Sequence, residues 1–492
     1  MTAVAQAPAT GRHAAGKSRP AYVVVLVFIA VLGVGIGLRL WRLGVSPAWQ
    51  WDEAVYYRVS VNVQHGVLSE HSHYNVPFEP FLYQPPFYFL VLARWFSVVG
   101  ASIYHARVLG VIFTAAMQTV LFRLLWKIHG PIVALFATIP VIIDGWLMYI
   151  ERVSYIENAL VLIIVIGLLL YQAALDKPSW QRFAIAGVVI GFAGAFKQTG
   201  AYVLLAVLLC WLVTRRNHKG HFVLLGAGLA VLLAYLVVMV RVFDVPSHDW
   251  FIGQSTTQIR RVLALQQSGG TLTSPTRVLH LLAAQYRFFI PSVVVALAAL
   301  VTVARRVLQC YLARSWEPAQ DNALLFSWFV TGIVVFGLSS LKFPQYFALI
   351  LIPAYCFVWT EVARWNWRSA WKGAVVGAAV VAALGSFALT VPAFSVNTLA
   401  EVQQYAATQI PASDIVVTEQ SIGDLIQQRW CTVEVATPCL HAATYAITWR
   451  TYLQSSFTEG NKAFHELMVG AVPVKTFSGA VGTATVWKLR QS

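Results

Sequence analysis

Apolar runs of about twenty residues recur along the chain, parted by short polar connections. They fall at Ala21–Leu40 and then at 104–125, 130–149, 157–175, 181–197, 199–214, 221–242, 286–304, 323–341, 345–362 and 371–392. Each run is long enough to cross a hydrocarbon core of roughly 30 Å as a helix. The pattern therefore predicts an α-helical polytopic membrane protein with about eleven transmembrane helices. One further run, Pro85–Val99, is short and carries Arg94 in its middle. Counting it as a span would move every basic loop that follows to the other side. It is expected instead to be a juxtamembrane or re-entrant helix on the outer face, begun by Pro85-Pro86. From about residue 395 the pattern shortens and turns polar. Asp414–Glu419, Tyr445–Trp449, Pro473–Phe477 and Thr483–Leu489 read as strands, with helices near 421–428 and 461–469. Residues 395–492 are thus expected to form a small α/β domain.

Composition agrees. The 492 residues are 58% hydrophobic and 11% charged, where a soluble protein carries about a quarter charged residues. A net charge of +15 would suit nucleic acid, but no basic patch with interleaved aromatics lies in a soluble segment. The charge is explained by the membrane. With the N-terminal tail, residues 1–20, in the cytoplasm, the inner connections carry sixteen of the 35 Lys and Arg and only Asp176, Glu317, Asp321 and Glu361 as acids. The first apolar run lacks a clear small-residue cleavage site and reads as a retained anchor. The membrane domain then covers 21–394, with outer loops at 41–103 and 243–285, and the 395–492 domain lies outside a plasma or inner membrane. Cys210, Cys310 and Cys356 sit in or beside apolar runs as packing residues. Cys431 and Cys439 either pair across a short loop or stay as two thiols.

The chemistry gathers on the outer side. The main constellation is Trp49-Gln50-Trp51-Asp52-Glu53-Ala54-Val55-Tyr56-Tyr57-Arg58, directly after the first anchor. If a helix begins near Asp52, Asp52 stacks with Tyr56 and Glu53 with Tyr57. The helix N-terminus favours the ionised carboxylate, whereas Glu53 and partial burial push its pKa back up. That balance suits a base for a hydroxyl proton. The alternative is an N-cap with an interface ion pair to Arg58. Glu157, on an outer helix end, is a candidate site residue, while Glu151 and Arg152 read as an interface pair. Lys197, and Lys342 with Tyr346, either snorkel or bind a phosphate as point charges. Arg260 and Arg261 lie on an amphipathic stretch, Gln254–Gln267, expected on the outer leaflet, where they meet either lipid phosphate generally, the favoured reading, or a donor phosphate. His71 and His73 are weak metal candidates without a third ligand.

The order of these outer elements resembles the GT-C superfamily of polyprenyl-phosphate-sugar-dependent glycosyltransferases, nearest the protein O-mannosyltransferases and lipid A aminoarabinose transferases. The carriers are Trp51-Asp52-Glu53-Ala54-Val55-Tyr56, Gln84-Pro85-Pro86-Phe87-Tyr88, Arg152–Glu157, Phe196-Lys197 and Lys342-Phe343-Pro344-Gln345-Tyr346. Gln84 stands where relatives often have His or Lys, and Gln198 where Gly is common. The resemblance implies a metal-optional, inverting transfer at the outer surface, with the base role on Asp52 and the third-span acid on Glu157. A divalent metal is thus possible but not required. The expected partners are a polyprenyl-phosphate sugar donor, an extracytoplasmic acceptor (protein, glycolipid or polysaccharide) and the lipid bilayer, with no nucleic acid. Glu53, Tyr57, Arg58, Gln84 and Glu157 are expected to hold sugar or acceptor. Lys197, Lys342, Arg260 and Arg261 are expected to face the phosphate. The competing class is a lipid or solute transporter, which internal repeats and paired broken helices would favour; no repeat is visible, and Asp144 is the main charge within a span.

Overall fold

The computed structural model describes residues 21–44, 47, 51–66, 85–242, 289–337, 345–364, 385–388, 398–418, 420–423, 426–432, 438–451, 462–479 and 482–490. The membrane part contains α1 (Ala21–Leu40), α2 (Trp51–Gln64), α3 (Phe87–Val99), α4 (Ile103–His129), α5 (Pro131–Ile143), α6 (Gly145–Glu151) and α7 (Ile156–Asp176). It continues with α8 (Trp180–Phe196), α9 (Tyr202–Thr214), α10 (His218–Val242), α11 (Ile290–Ala313), α12 (Ala323–Gly332) and α13 (Tyr346–Arg364). Among the described residues six helices are long and apolar enough to cross a membrane, or seven with α5 and α6 taken as one bent span. The protein is an integral membrane protein. Helix α3 has 13 residues, about 20 Å at 1.5 Å per residue, short of a bilayer core. The expected span 371–392 lies outside the described residues apart from 385–388.

The run expected as one span over 130–149 is broken. Helices α5 and α6 meet at a 64° bend, and the break is at Asp144. Pro140 lies one turn before it inside α5. Asp144 caps α6, accepting the Leu147 backbone N–H at 2.8 Å. It also accepts the hydroxyls of Ser292 on α11, at 2.8 Å, and of Tyr355 on α13. A buried carboxylate is tolerated here because each of these donors is aimed at it.

Close helix packing comes from small residues. A Cβ on Gly187 or Gly191 of α8 would collide with the backbone of Leu224 or Gly228 on α10. These glycines let two helices approach to backbone contact, where dispersion rather than the hydrophobic effect holds helices together in lipid.

The C-terminal domain adds α14 (Thr398–Gln409), β1 (Ile415–Thr418), α15 (Gln420–Gly423), β2 (Arg429–Thr432), β3 (Tyr445–Thr451), α16 (Lys462–Leu467), β4 (Val472–Gly479) and β5 (Gly482–Lys488). The sheet order is β2-β1-β3-β5-β4. Strand β1 is parallel to both β2 and β3, whereas β5 is antiparallel to β3 and β4. Four strands agree with the sequence reading. Strand β2 was not expected, and the helix expected over 421–428 ends at Gly423. There Trp430 packs directly over Gly423, leaving no room for a side chain. Helix α14, also unexpected, buries Leu399, Val402 and Ala406 at helical spacing against the sheet. Cys431 and Cys439 form a disulfide, Cα to Cα 6.1 Å. Tyr57 of α2 and Ile103 of α4 join the core cluster of this domain, beside Ile422 and Trp430. The domain therefore rests on the helix that begins at Trp51.

Candidate functional site

Helix α2 begins at Trp51, so Asp52 and Glu53 occupy its first turn, where exposed backbone N–H groups favour negative charge. Successive residues on a helix are about 100° apart, which sends the two carboxylates to different surroundings.

Glu53 is fully buried and faces α4. Arg107 grips it with two hydrogen bonds of 2.7 Å, and the Ser154 backbone N–H donates to it at 3.1 Å. Arg107 also donates to the carbonyls of Leu43 and Pro47, both at 2.9 Å. This bidentate pair is a clamp that holds the segment after α1 onto α4. Glu53, expected to hold sugar or acceptor, is instead engaged by three hydrogen bonds from the protein itself. The expected stacking of Glu53 with Tyr57 is replaced as well. Tyr57 instead meets Phe96 edge-on at 5.5 Å and leans on the C-terminal domain.

Asp52 is half-buried and faces the other way. Its Oδ2 accepts from Gln345 Nε2 at 2.7 Å. Burial pushes its pKa up to about 6; Lys197 opposes this and Glu157 adds to it. The stacking of Asp52 with Tyr56 one turn on is as the sequence spacing predicts. Arg58 lies beside Tyr57, whose own pKa is raised by burial and lowered by that guanidinium.

Lys197 reaches this place because α8 stops one residue earlier. The chain turns extended at Lys197 and re-enters a 3-10 turn, Gln198–Ala201. Gly200 there approaches the Ala193 carbonyl too closely for any side chain and donates its N–H to Lys197 O at 2.7 Å. The Lys197 ammonium lies 2.5 Å from Glu157 Oε1 and 5.5 Å from the Tyr346 ring centre, a cation–π distance. Both Lys197 and Glu157 are buried, and Glu157 Oε2 has no hydrogen-bond partner among the described residues. Four elements thus deliver Asp52, Glu157, Lys197 and Tyr346 to one site, and Tyr155, at the start of α7, feels the same acids.

A second set of buried charges frames the site. Glu151 pairs with Arg39 of α1, not with Arg152 as the sequence suggested. Arg152 donates to the carbonyls of Leu38, Arg39 and Trp41 at 2.6, 3.0 and 2.6 Å. It caps the C-terminal end of α1, where carbonyls lack helical partners. Arg107, lone in an apolar run, carried a signal that an intramembrane charge has a partner. Gln345, being neutral, carried no charge signal and stood in the sequence only as part of Lys342-Phe343-Pro344-Gln345-Tyr346.

Gln84, Arg260, Arg261, Lys342, His71 and His73 lie outside the described residues. Among the described residues no group of three His, Cys, Asp or Glu side chains gathers as a metal cluster.

Residues 83–242 match the family model described as dolichyl-phosphate-mannose-protein mannosyltransferase. The chain superposes on ArnT from Cupriavidus metallidurans bound to undecaprenyl phosphate with a TM-score of 0.63 and 12% identity, over 94% of this chain and 97% of that one. The Archaeoglobus fulgidus oligosaccharyltransferase, in complex with zinc and sulfate, gives 0.58 at 11% identity, over 85% and 67%. The same organism's AglB, in complex with an inhibitory peptide and a dolichol-phosphate, gives 0.52 at 12% identity, over 86% and 69%. No curated protein sequence matches the chain.

Proposed function

We propose that this chain, which carries the GT-C glycosyltransferase fold, transfers one sugar from a polyprenyl-phosphate donor to an acceptor hydroxyl outside the cytoplasm. The observation that carries the reading is the convergence of an acid raised to about 6 with a buried ammonium. ArnT and AglB, which share the fold, hold polyprenyl phosphates in their solved structures.

In the proposed reaction the acceptor oxygen attacks the anomeric carbon from the face opposite the phosphate. Asp52 takes the hydroxyl proton as the new carbon–oxygen bond forms, and the sugar–phosphate bond breaks with its electron pair leaving on the polyprenyl phosphate. The result is inversion. A base titrating near 6 is ionised at neutral pH yet still basic enough to accept a proton in the transition state. Lys197 faces the charge that develops on the leaving phosphate, in a buried setting where that attraction is strong. Lys342, Arg260 and Arg261 are proposed to assist it. Glu157, through its unpartnered oxygen, and Tyr346 are proposed to hold sugar, with Tyr57, Arg58 and Gln84 on the acceptor side.

The test is transfer of labelled sugar from a panel of polyprenyl-phosphate sugars by purified wild type and Asp52→Asn. Turnover in the wild type that the variant loses, with donor binding kept, is the expected result. An Asp52→Asn protein with full transfer, or a wild type that neither binds nor turns over any donor, would count against the reading and favour a transporter.

A further inference from the structure

Asp52 sits at the start of α2 with only the first helical turn to hold its side chain. A carboxylate there can rotate freely unless something outside the helix fixes it. The contact that does so comes from 293 residues away in sequence. Gln345, buried at 3% exposure, stands immediately before α13 and donates its Nε2 to Asp52 Oδ2 at 2.7 Å. Its neighbour Tyr346 presents its ring to Lys197. Two consecutive residues therefore address the acid and the cation of one site.

We infer that Gln345 is a positioning residue for Asp52: its amide holds one carboxylate oxygen and leaves the other turned to the acceptor hydroxyl. The inference rests on the reading of Asp52 as the base. The choice of an amide has a physical reason. A Lys or Arg in this place would form a charge-assisted bond and hold Asp52 well down as a weak base. An amide donates without adding charge, so it fixes direction while leaving most of the basicity. It cannot act on Lys197 or Glu157 as a competing ion. The charged and titratable groups facing Asp52 are then Lys197 at the end of α8, Glu157 of α7 and Tyr155 just before it, Tyr346 of α13 and its own neighbour Tyr56.

The test uses full-length protein in detergent and two variants. Gln345→Met keeps the shape and removes the donor; Gln345→Glu keeps the shape and puts a second carboxylate against the first. The Asp52 carboxyl is titrated by infrared difference spectroscopy, its band identified as the one that Asp52→Asn lacks. In Gln345→Met the midpoint is expected to rise by about one unit, since a hydrogen bond to the charged form has been lost. With a donor that the wild type turns over, kcat is expected to fall about 10- to 100-fold while the donor KM stays close to wild type. Gln345→Glu should raise the midpoint further, as two like charges share the place, and it serves if the Met variant fails to fold. A residue that merely fills space would lower thermal stability without moving the titration. An unmoved midpoint in the folded variants, or a wild-type kcat, overturns the inference. The infrared arm needs no sugar donor, so failure of the proposed activity is distinguishable from failure of this role for Gln345.

Discussion

Asp52 and Glu53 are adjacent acids on one helical turn, and the fold treats them in opposite ways. Glu53 is sealed against α4 with a bidentate arginine and a backbone donor. Asp52 is half-buried, has a neutral amide on one oxygen, and sits within range of one ammonium and one carboxylate. The first environment pairs a charge directly with a guanidinium and a backbone donor, as a structural clamp does. The second satisfies it partly, and leaves a group whose protonation can change during a reaction. Partial satisfaction is what separates a candidate base from a clamp.

The comparison can be broken at several points. The largest effect is expected from Asp52→Asn, which should slow transfer by about 10²- to 10⁴-fold while the protein stays folded and binds donor; rate and donor affinity measured together check this. Arg107→Met leaves Glu53 charged, buried and unpaired, a loss of about 3–5 kcal/mol. It should appear as a large fall in thermal midpoint and in yield of monodisperse protein.

Lys197→Met removes the group that most lowers the Asp52 pKa. It should cut turnover by about 10- to 100-fold and move the acid limb of the pH–rate curve upward. For the wild type that limb follows from the sign of the shift. Asp52 must be ionised to accept a proton, so kcat/KM should fall as pH drops through about 6. The smallest effect concerns stability. The folded-state pKa of Asp52 is raised, so the folded protein binds more protons than the unfolded chain between the ordinary carboxylate value of 3.8 and about 6. Its ionisation therefore lowers stability as pH rises through that window. Asp52→Asn should show a modestly higher thermal midpoint than wild type at pH 7.5 and none at pH 4.

What could be read from sequence divides along the same line. The membrane class and the long spans were legible because a bilayer demands about twenty apolar residues, and Ala21–Leu40 was placed to the residue; about eleven spans were expected, and the described residues show six or seven helices of that length. Asp52, Glu157, Lys197 and Tyr346, which the structure brings together, stood out in the sequence because charge and aromatic groups at span ends are costly to keep without use. Their partners were not. Glu53 meets Arg107 across 54 residues, and Arg39 meets Glu151 across 112; no local periodicity encodes such pairings. Asp144 was seen as a charge, but its three donors come from three elements, so the broken span stayed hidden. Strand β2 was missed because four residues give too little alternation to outweigh the helical look of 421–428.

The most direct measurement compares Asp52→Asn and Glu53→Gln side by side for transfer rate and thermal midpoint. The account predicts that Asp52→Asn loses the rate with a midpoint at or modestly above that of wild type, whereas Glu53→Gln loses the midpoint and keeps turnover in whatever fraction remains folded. The opposite pattern, with the folded Glu53→Gln protein inactive and Asp52→Asn turning over as wild type, would contradict it.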